Sequence, residues 1–203
     1  GAHVNAGNDY GVTPLFLACS DASETMVETL LKASADPNLA LPNGETTLMA
    51  AARTGKVAAV KALLARGADV NAEETLKGQT ALMWAVAARH LDAAKALIAH
   101  GADVTARSHN EWTPLLFVAR DGDIEIARLL LANGADVNEA DASGTAVLLV
   151  ATVRGHVEFA HFLLERGANP NMTEAGYTAL HWAAGKWETY FTNDYSYAPG
   201  TTY

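Results

Sequence analysis

The sequence is poor in cysteine, with Cys19 as the only one among 203 residues. A single thiol cannot form an intrachain disulfide, so noncovalent packing has to hold the fold together. Cys19 ends the apolar run 15–19, and we expect it to be a small buried side chain. One thiol does not distinguish a reducing from an oxidising compartment.

Basic residues are also scarce. Lys and Arg number 14 against 23 Asp and Glu, which gives a formal net charge of −9. Nucleic-acid binding depends on neutralising phosphates with cations, and anionic lipid headgroups also attract cations, so the charge disfavours both partners. No apolar run approaches the roughly 20 residues that span a membrane. We therefore expect no nucleic-acid partner and no membrane partner.

Signatures of catalysis are missing as well. No stretch matches GxxxxGK[ST], GxGxxG or GxSxG, the motifs typical of phosphate sites, dinucleotide sites and hydrolase nucleophiles. His156 and His161 lie five residues apart, which is not the HExxH spacing that places two metal ligands on one helical face. The sequence predicts no catalytic, cofactor-binding or metal-binding residue.

What the chain has instead is a repeat. One phrase, Gly-Ala-Asp-Val-Asn or a close variant, begins at Gly1, Ser34, Gly67, Gly101, Gly134 and Gly167. Successive copies begin 33 or 34 residues apart. A second phrase close to Gly-x-Thr-Pro-Leu follows each copy, as in 111–115 and 176–180. A fixed period of this length across the chain indicates stacked supersecondary units.

Each unit is predicted to form two short helices. Thr113 suits an N-cap, and Pro114 suits the first position of an inner helix, where its missing N–H costs nothing. The inner helices are predicted to end near glycines that tolerate a left-handed cap, at Gly55, Gly122, Gly155 and Gly185. An outer helix follows, as in 57–65, with apolar residues at helical spacing. Such a pair cannot bury its own apolar face and has to stack on its neighbours.

These phrases resemble the ankyrin repeat family, whose consensus carries Thr-Pro-Leu-His, a central Gly-His and the closing Gly-Ala-Asp-Val-Asn. The best copies lie at 178–181 and 155–156, and the resemblance covers essentially the whole chain. It implies an all-α solenoid of antiparallel helix pairs with β-hairpin-like finger loops, forming a single domain over 1–203. The implied units are 6–38, 39–71, 72–105, 106–138, 139–171 and a partial 172–203, with 1–5 ending a preceding unit.

Several positions depart from the family pattern. Only His181 occupies the histidine of Thr-Pro-Leu-His, so the other turns are predicted to rely on packing. Ser34, Ala22 and Arg89 replace expected glycines. Each of these substitutions would cost roughly 1 kcal/mol if its backbone is left-handed.

Loops depart from the pattern too. The finger at 73–77 carries one extra residue, and the finger near Thr173 is one residue shorter. Residues 186–203 are rich in aromatics without a second-helix pattern, and they are interpreted either as a loop packed on the last unit or as a partner-binding loop. Recurring asparagines are predicted to hydrogen-bond within their own turns, at Asn5, Asn38, Asn71, Asn138 and Asn171.

By resemblance, the positions that vary between units line a concave groove formed by finger tips and inner-helix ends. The partner-binding candidates are Tyr10, Asn43, Glu45, Arg53, Lys77, Gln79, Trp84, His109, Trp112, Phe117, Arg120, Thr145, Arg154, Tyr177 and Trp182. One column would form an apolar row along the groove, namely Leu17, Ala50, Trp84, Phe117, Val150 and Trp182. Exposed and rimmed by arginines, such a row has the composition of an interface core. The alternative is that these side chains wedge between adjacent inner helices.

The resemblance implies a non-catalytic scaffold that binds a protein partner, expected to be monomeric and without a cofactor. The alternative is a regulatory segment of a larger enzyme or multidomain protein whose active part lies outside this chain. The chain also resembles bacterial ankyrin arrays, some of which are exported. A cytoplasmic location is the default expectation, with an exported parent protein as the alternative.

Overall fold

Helices make up nearly all of the regular structure. The computed structural model describes residues 3–21, 23–174 and 177–184. The inner helices are α1 (Pro14–Ser20), α3 (Thr47–Thr54), α5 (Ala81–Ala87), α7 (Pro114–Asp121), α9 (Val147–Val153) and α11 (Ala179–Ala184). The outer helices are α2 (Glu24–Lys32), α4 (Val57–Ala65), α6 (Leu91–Ala99), α8 (Ile124–Ala132) and α10 (Val157–Glu165). Strands β1 (Thr173–Glu174) and β2 (Tyr177–Thr178) form an antiparallel hairpin before α11.

Most inner helices begin where a threonine hydroxyl caps the first turn. Thr113 Oγ1 accepts the Leu116 N–H at 3.3 Å, and Pro114 takes the first helical position, as predicted. Equivalent caps form at Thr13, Thr46 and Thr80. Among the inner helices that the structure describes, a histidine joins the cap only at Thr178, with His181 Nδ1 lying 2.8 Å from the threonine hydroxyl. Elsewhere the histidine position is filled by buried apolar side chains, as predicted, at Phe16, Met49, Met83, Leu116 and Leu149.

Left-handed residues follow both inner and outer helices. The predicted glycines Gly55, Gly122 and Gly155 all have positive φ. Ser34 and Arg89 also have positive φ, at 66° and 61°, so each carries the predicted backbone cost of roughly 1 kcal/mol. The predictions for Ala22 and Gly185 fall outside the described residues.

The helix pairs stack in a row. Each inner helix contacts the next, from α1 to α11, and so do the outer helices from α2 to α8. Small side chains allow this close approach, since Ala50, Ala51 and Ala52 of α3 are fully buried. Leucines of the outer helices fill the space behind them, and Leu63, Leu97, Leu130 and Leu163 are fully buried. The apolar faces are thus hidden between units, which confirms the all-α solenoid.

Three of the recurring asparagines, Asn38, Asn71 and Asn138, join neighbouring units, and for these three the prediction that the side chains bond within their own turns is wrong. Asn38 Nδ2 donates to the Gly67 carbonyl at 2.9 Å, and its Oδ1 accepts the Asp69 N–H at 2.8 Å. The backbone N–H of Asn38 is already bound by Asp36 Oδ1, at 2.9 Å. Because the aspartate satisfies the turn, the asparagine side chain is left to reach the next unit. The same bridge is made by Asn71 and Asn138.

A finger loop precedes each inner helix. The first to sixth fingers are residues 6–12, 39–45, 72–79, 106–112, 139–145 and 172–177. Backbone pairing encloses five residues between Ala40 and Thr46 but six between Glu73 and Thr80. In the sixth finger Thr173 pairs with Thr178, which encloses four. The extra and the missing residue therefore lie where the sequence predicts them.

Candidate functional site

A groove of about 540 Å³ opens on the finger side of the stack, between the third, fourth and fifth fingers and α7. Six of the predicted partner-binding residues line it, namely Lys77, Gln79, His109, Trp112, Phe117 and Arg120. The other lining residues are Ser108, Asn110, Asp141, Ala142 and Ser143. The structure thus brings together candidates from two fingers and one inner helix.

Two aromatic rings form the apolar part of this groove. Trp112 and Phe117 meet edge to face, with ring centroids 5.2 Å apart. Trp112 is half-buried, and its Nε1 donates to Asp141 Oδ2 of the fifth finger at 3.2 Å. Phe117 is only 6% exposed, so it supports the Trp112 ring from below. The indole is held in one position by a ring contact and a hydrogen bond to the neighbouring unit.

The Arg120 guanidinium lines the groove beside these rings. Its Nε and Nη2 donate to Asp121 at 3.3 and 3.0 Å, and its guanidinium lies 5.9 Å from the Phe117 ring centre. The Arg120 carbonyl accepts from His156 Nε2 at 2.8 Å. Because side chain and backbone are both held, the guanidinium is presented to the groove with little rotamer freedom left to lose.

The third finger is held from inside by a carboxylate. Glu74, which is buried, accepts the N–H groups of Leu76, Lys77 and Gln79 at 2.7, 2.8 and 3.1 Å. These bonds close the loop around its extra residue. The long finger is therefore a defined structure that positions Lys77 beside the groove.

His109 locks the fourth finger to the third. Its N–H donates to the Lys77 carbonyl at 2.7 Å, and its ring Nδ1 lies 3.3 Å from the Leu76 carbonyl. The ring covers Gly78, where an added Cβ would come within 2.5 Å of His109 Cδ2. The glycine is needed at this position because the two fingers approach so closely.

A second group of candidates lies nearer the N-terminus of the chain, on the first and second fingers and on α3 and α5. Arg53 Nη2 lies 3.8 Å from Glu45 Oε1, and its guanidinium lies 5.6 Å from the Trp84 ring centre. Burial raises the pKa of Glu45, and the charge of Arg53 opposes that shift. Asn43 links the second finger to the third through its backbone carbonyl, which accepts both the N–H and the hydroxyl of Thr75 at 2.8 Å. Tyr10 is 78% exposed on the first finger.

The apolar row along the groove is not continuous. Ala50, Phe117 and Val150 are buried, so the wedge alternative describes these positions. Trp84 and Trp182 are half-buried, whereas Leu17 is 51% exposed. The six positions therefore do not form an uninterrupted exposed stripe, because three of them are buried.

Two predicted contact residues are hidden within their fingers. Gln79 is 7% exposed, and its backbone N–H and carbonyl both bond to Glu74 at the base of the third finger. Thr145 is 3% exposed, and its Oγ1 lies 2.8 Å from Ser143 Oγ. The side chain of Thr145 therefore shapes the fifth finger rather than its surface. Arg154 and Tyr177 are both exposed, outside the groove.

Sequence reasoning missed Asp141, which organises the fifth finger. Its Oδ1 accepts from the Ser143 N–H, the Ser143 hydroxyl and the Thr145 N–H at 3.0, 2.6 and 3.0 Å. Its Oδ2 accepts from Trp112. Its position in the finger could have revealed this role. Asp141 occupies the same position in the fifth finger as Asn8 in the first finger, and the Asn8 side chain accepts two N–H groups in the same way.

Across the described ranges, no three His, Cys, Asp or Glu side chains are grouped so that they could hold a metal ion. Burial raises the pKa of the Cys19 thiol to about 12, which keeps it protonated and unreactive. None of the helices in the described part of the chain is both long and apolar enough to cross a membrane.

A family model described as ankyrin repeats (3 copies) matches residues 22–108 and 115–189. The matched segments contain α2 to α6 and nearly all of α7 to α11. The break between them lies in the fourth finger, beside the groove. There Glu111 takes a left-handed φ of 60°.

Proposed function

The chain belongs to the ankyrin repeat family, and we propose that it binds a protein partner through the groove beside Trp112 without catalysing a reaction. Ankyrin repeats are generally protein–protein interaction modules. We also infer that the five units and the partial sixth act as one continuous domain. The unbroken contacts between inner helices from α1 to α11 support that inference.

The observation that carries the proposal is the composition of the groove. Trp112 and Arg120 belong to the residue types that most often dominate binding energy at interfaces. Around them stand neutral hydrogen-bonding side chains, Ser108, Asn110 and Ser143. An aromatic centre with a polar surround is typical of the core and rim of a protein interface.

Rigidity supports the same proposal. The third and fourth fingers are joined through His109, and the fourth and fifth through the Trp112–Asp141 hydrogen bond. Ordering flexible side chains and loops on association costs affinity, so a surface fixed in advance binds more tightly for the same contacts.

Affinity capture with substituted baits tests the proposal. Trp112→Ala and Arg120→Ala, both in the groove, are expected to weaken binding of a captured partner about tenfold or more, as truncation of an interface anchor does. Lys61→Ala, an exposed position on the outer helix α4, is the control and is expected to leave affinity unchanged. Circular dichroism of each bait checks that the stack is intact. A partner that binds both groove variants as tightly as the unsubstituted chain would contradict this surface.

A further inference from the structure

Glu139 is a buried acid at a position where every other unit has an apolar residue. The corresponding residues after each closing phrase are Ala6, Leu39, Ala72, Ala106 and Met172. Glu139 is nevertheless only 7% exposed, and its Oε1 is buried without a hydrogen-bond partner. A carboxylate with one unpartnered oxygen in such a place is costly, whereas a protonated carboxyl is much less so.

The groups that face Glu139 offset only part of the cost of burying its negative charge. The Thr113 hydroxyl, which also caps α7, hydrogen-bonds to the carboxyl. Arg107 of the fourth finger is the nearby cation, but its Nη1 donates to the carbonyls of Glu111 and Ala140, at 3.1 and 3.0 Å. Asp136, in the turn after α8, adds a like charge.

Together these effects place the pKa of the Glu139 carboxyl near neutral pH. Burial raises the pKa of Glu139 to about 7, against the opposing effects of Thr113 and Arg107, and Asp136 raises it further. Glu139 therefore changes charge in a range where an ordinary glutamate is already fully ionised.

Glu139 also forms the base of the fifth finger. Its N–H donates to the Asp136 carbonyl, and its own carbonyl accepts the N–H of Val147, the first residue of α9. The next residues of this finger include Asp141 and Ser143, which line the groove. Glu139 therefore lies two residues before Asp141, the acceptor of the Trp112 hydrogen bond, in the same finger.

We propose that loss of the Glu139 proton loosens the base of the fifth finger and so changes the shape of the groove beside Trp112. The protonated form keeps the finger seated against Thr113 and the N-terminus of α7. The ionised form is drawn towards water and moves Asp141 relative to the indole. This adds proton-dependent regulation to the groove, and its consequence for a partner rests on the proposed function. The titration itself needs no partner.

Proton–nitrogen NMR spectra of the full chain, recorded from about pH 5.5 to about pH 8.5, test the proposal. The indole N–H signal is assigned with Trp112→Phe. That signal and the amide signals of Ser143 and Thr145 are expected to shift together with a midpoint near 7. In Glu139→Gln, which keeps the size of the side chain and cannot ionise, the shifts are expected to disappear. A carbon-detected titration of the Glu139 carboxyl in the unsubstituted chain gives the same midpoint without any substitution.

Two matched controls separate this acid from its neighbours. Glu111→Gln removes a carboxylate from the adjacent finger, and Glu125→Gln removes an exposed carboxylate from the outer helix α8. Both variants are expected to keep the titration of the Trp112 signal. Shifts that persist in Glu139→Gln, or a Glu139 carboxyl that titrates at its ordinary value, would overturn the proposal. Because no partner is used, either result leaves the proposed binding function standing.

Discussion

At the scale of single residues, the repeat lets one unit serve as the control for another. Ser34 and Gly67 occupy the same position after an outer helix, with φ of 66° and 80°. An added Cβ at Gly67 would meet nothing within 4 Å, so any cost of a side chain there comes from the backbone alone. The pair therefore isolates the energy of left-handed strain from that of packing.

A reciprocal exchange measures this strain. Ser34→Gly is expected to raise the free energy of unfolding by roughly 1 kcal/mol, and Gly67→Ser to lower it by a similar amount. Urea denaturation of both variants beside the unsubstituted chain gives the two values. Equal and negligible effects at the two sites would show that the strain is relieved elsewhere.

The buried acid Glu139 makes stability depend on pH in the opposite sense to an ordinary ion pair. Its pKa rises from 4.5 to about 7 on folding, so its contribution to stability is complete below pH 4.5 and is lost as pH rises through 7. Glu139→Gln is expected to remove this decline and to stabilise the chain at pH 8 by up to about 3 kcal/mol. Denaturation at pH 5 and pH 8 compares the two proteins. A Glu139→Gln variant that loses stability between these pH values as steeply as the parent chain would be inconsistent with the assignment.

At the scale of elements, the joints between units are unequal. Asn38, Asn71 and Asn138 each bridge to the next closing turn through two hydrogen bonds. Thr105 occupies the equivalent position between the third and fourth units. Its hydroxyl donates to Asp103 Oδ1 at 2.7 Å, within its own turn. The side chain is too short to make the amide bridge.

Restoring the asparagine is expected to strengthen this joint. In Thr105→Asn the amide would donate to the Gly134 carbonyl and accept the Asp136 N–H, adding about 1 kcal/mol to the free energy of unfolding. Asn71→Thr is the reverse exchange and is expected to lose at least as much. Hydrogen exchange at the Asp136 amide, slowed in Thr105→Asn, would report the new bond directly. Exchange at an unchanged rate would mean that the bridge does not form.

At the scale of the whole molecule, local chemistry was predictable and the relation between units was less so. The N-cap at Thr113 and the bounds of α4 depend on neighbouring residues in the chain, and both were predicted from the sequence. The Asn38 bridge and the burial of Phe117 depend on how one unit sits on the next. The length of the repeat alone does not give the rotation of one unit relative to the next. The burial of Glu139 was not predicted, because it depends on how neighbouring units pack.

The residues of the groove were also predicted only in part. Six of its lining residues were predicted, because finger tips and inner-helix ends vary between units while the scaffold positions repeat. Asp141 was missed, since an aspartate in a turn has an ordinary structural role until its second oxygen is seen bound to Trp112. Thr145 was selected by its position in a finger, yet its side chain faces inwards.

Site-specific photocrosslinking tests the central claim, that the groove is where a protein partner binds. A photoreactive amino acid is placed at Asn110, exposed in the groove, and in a second protein at Lys61, exposed on the outer helix α4. The account predicts that a captured partner is crosslinked from position 110 and not from position 61. A partner crosslinked from position 61 alone would contradict it.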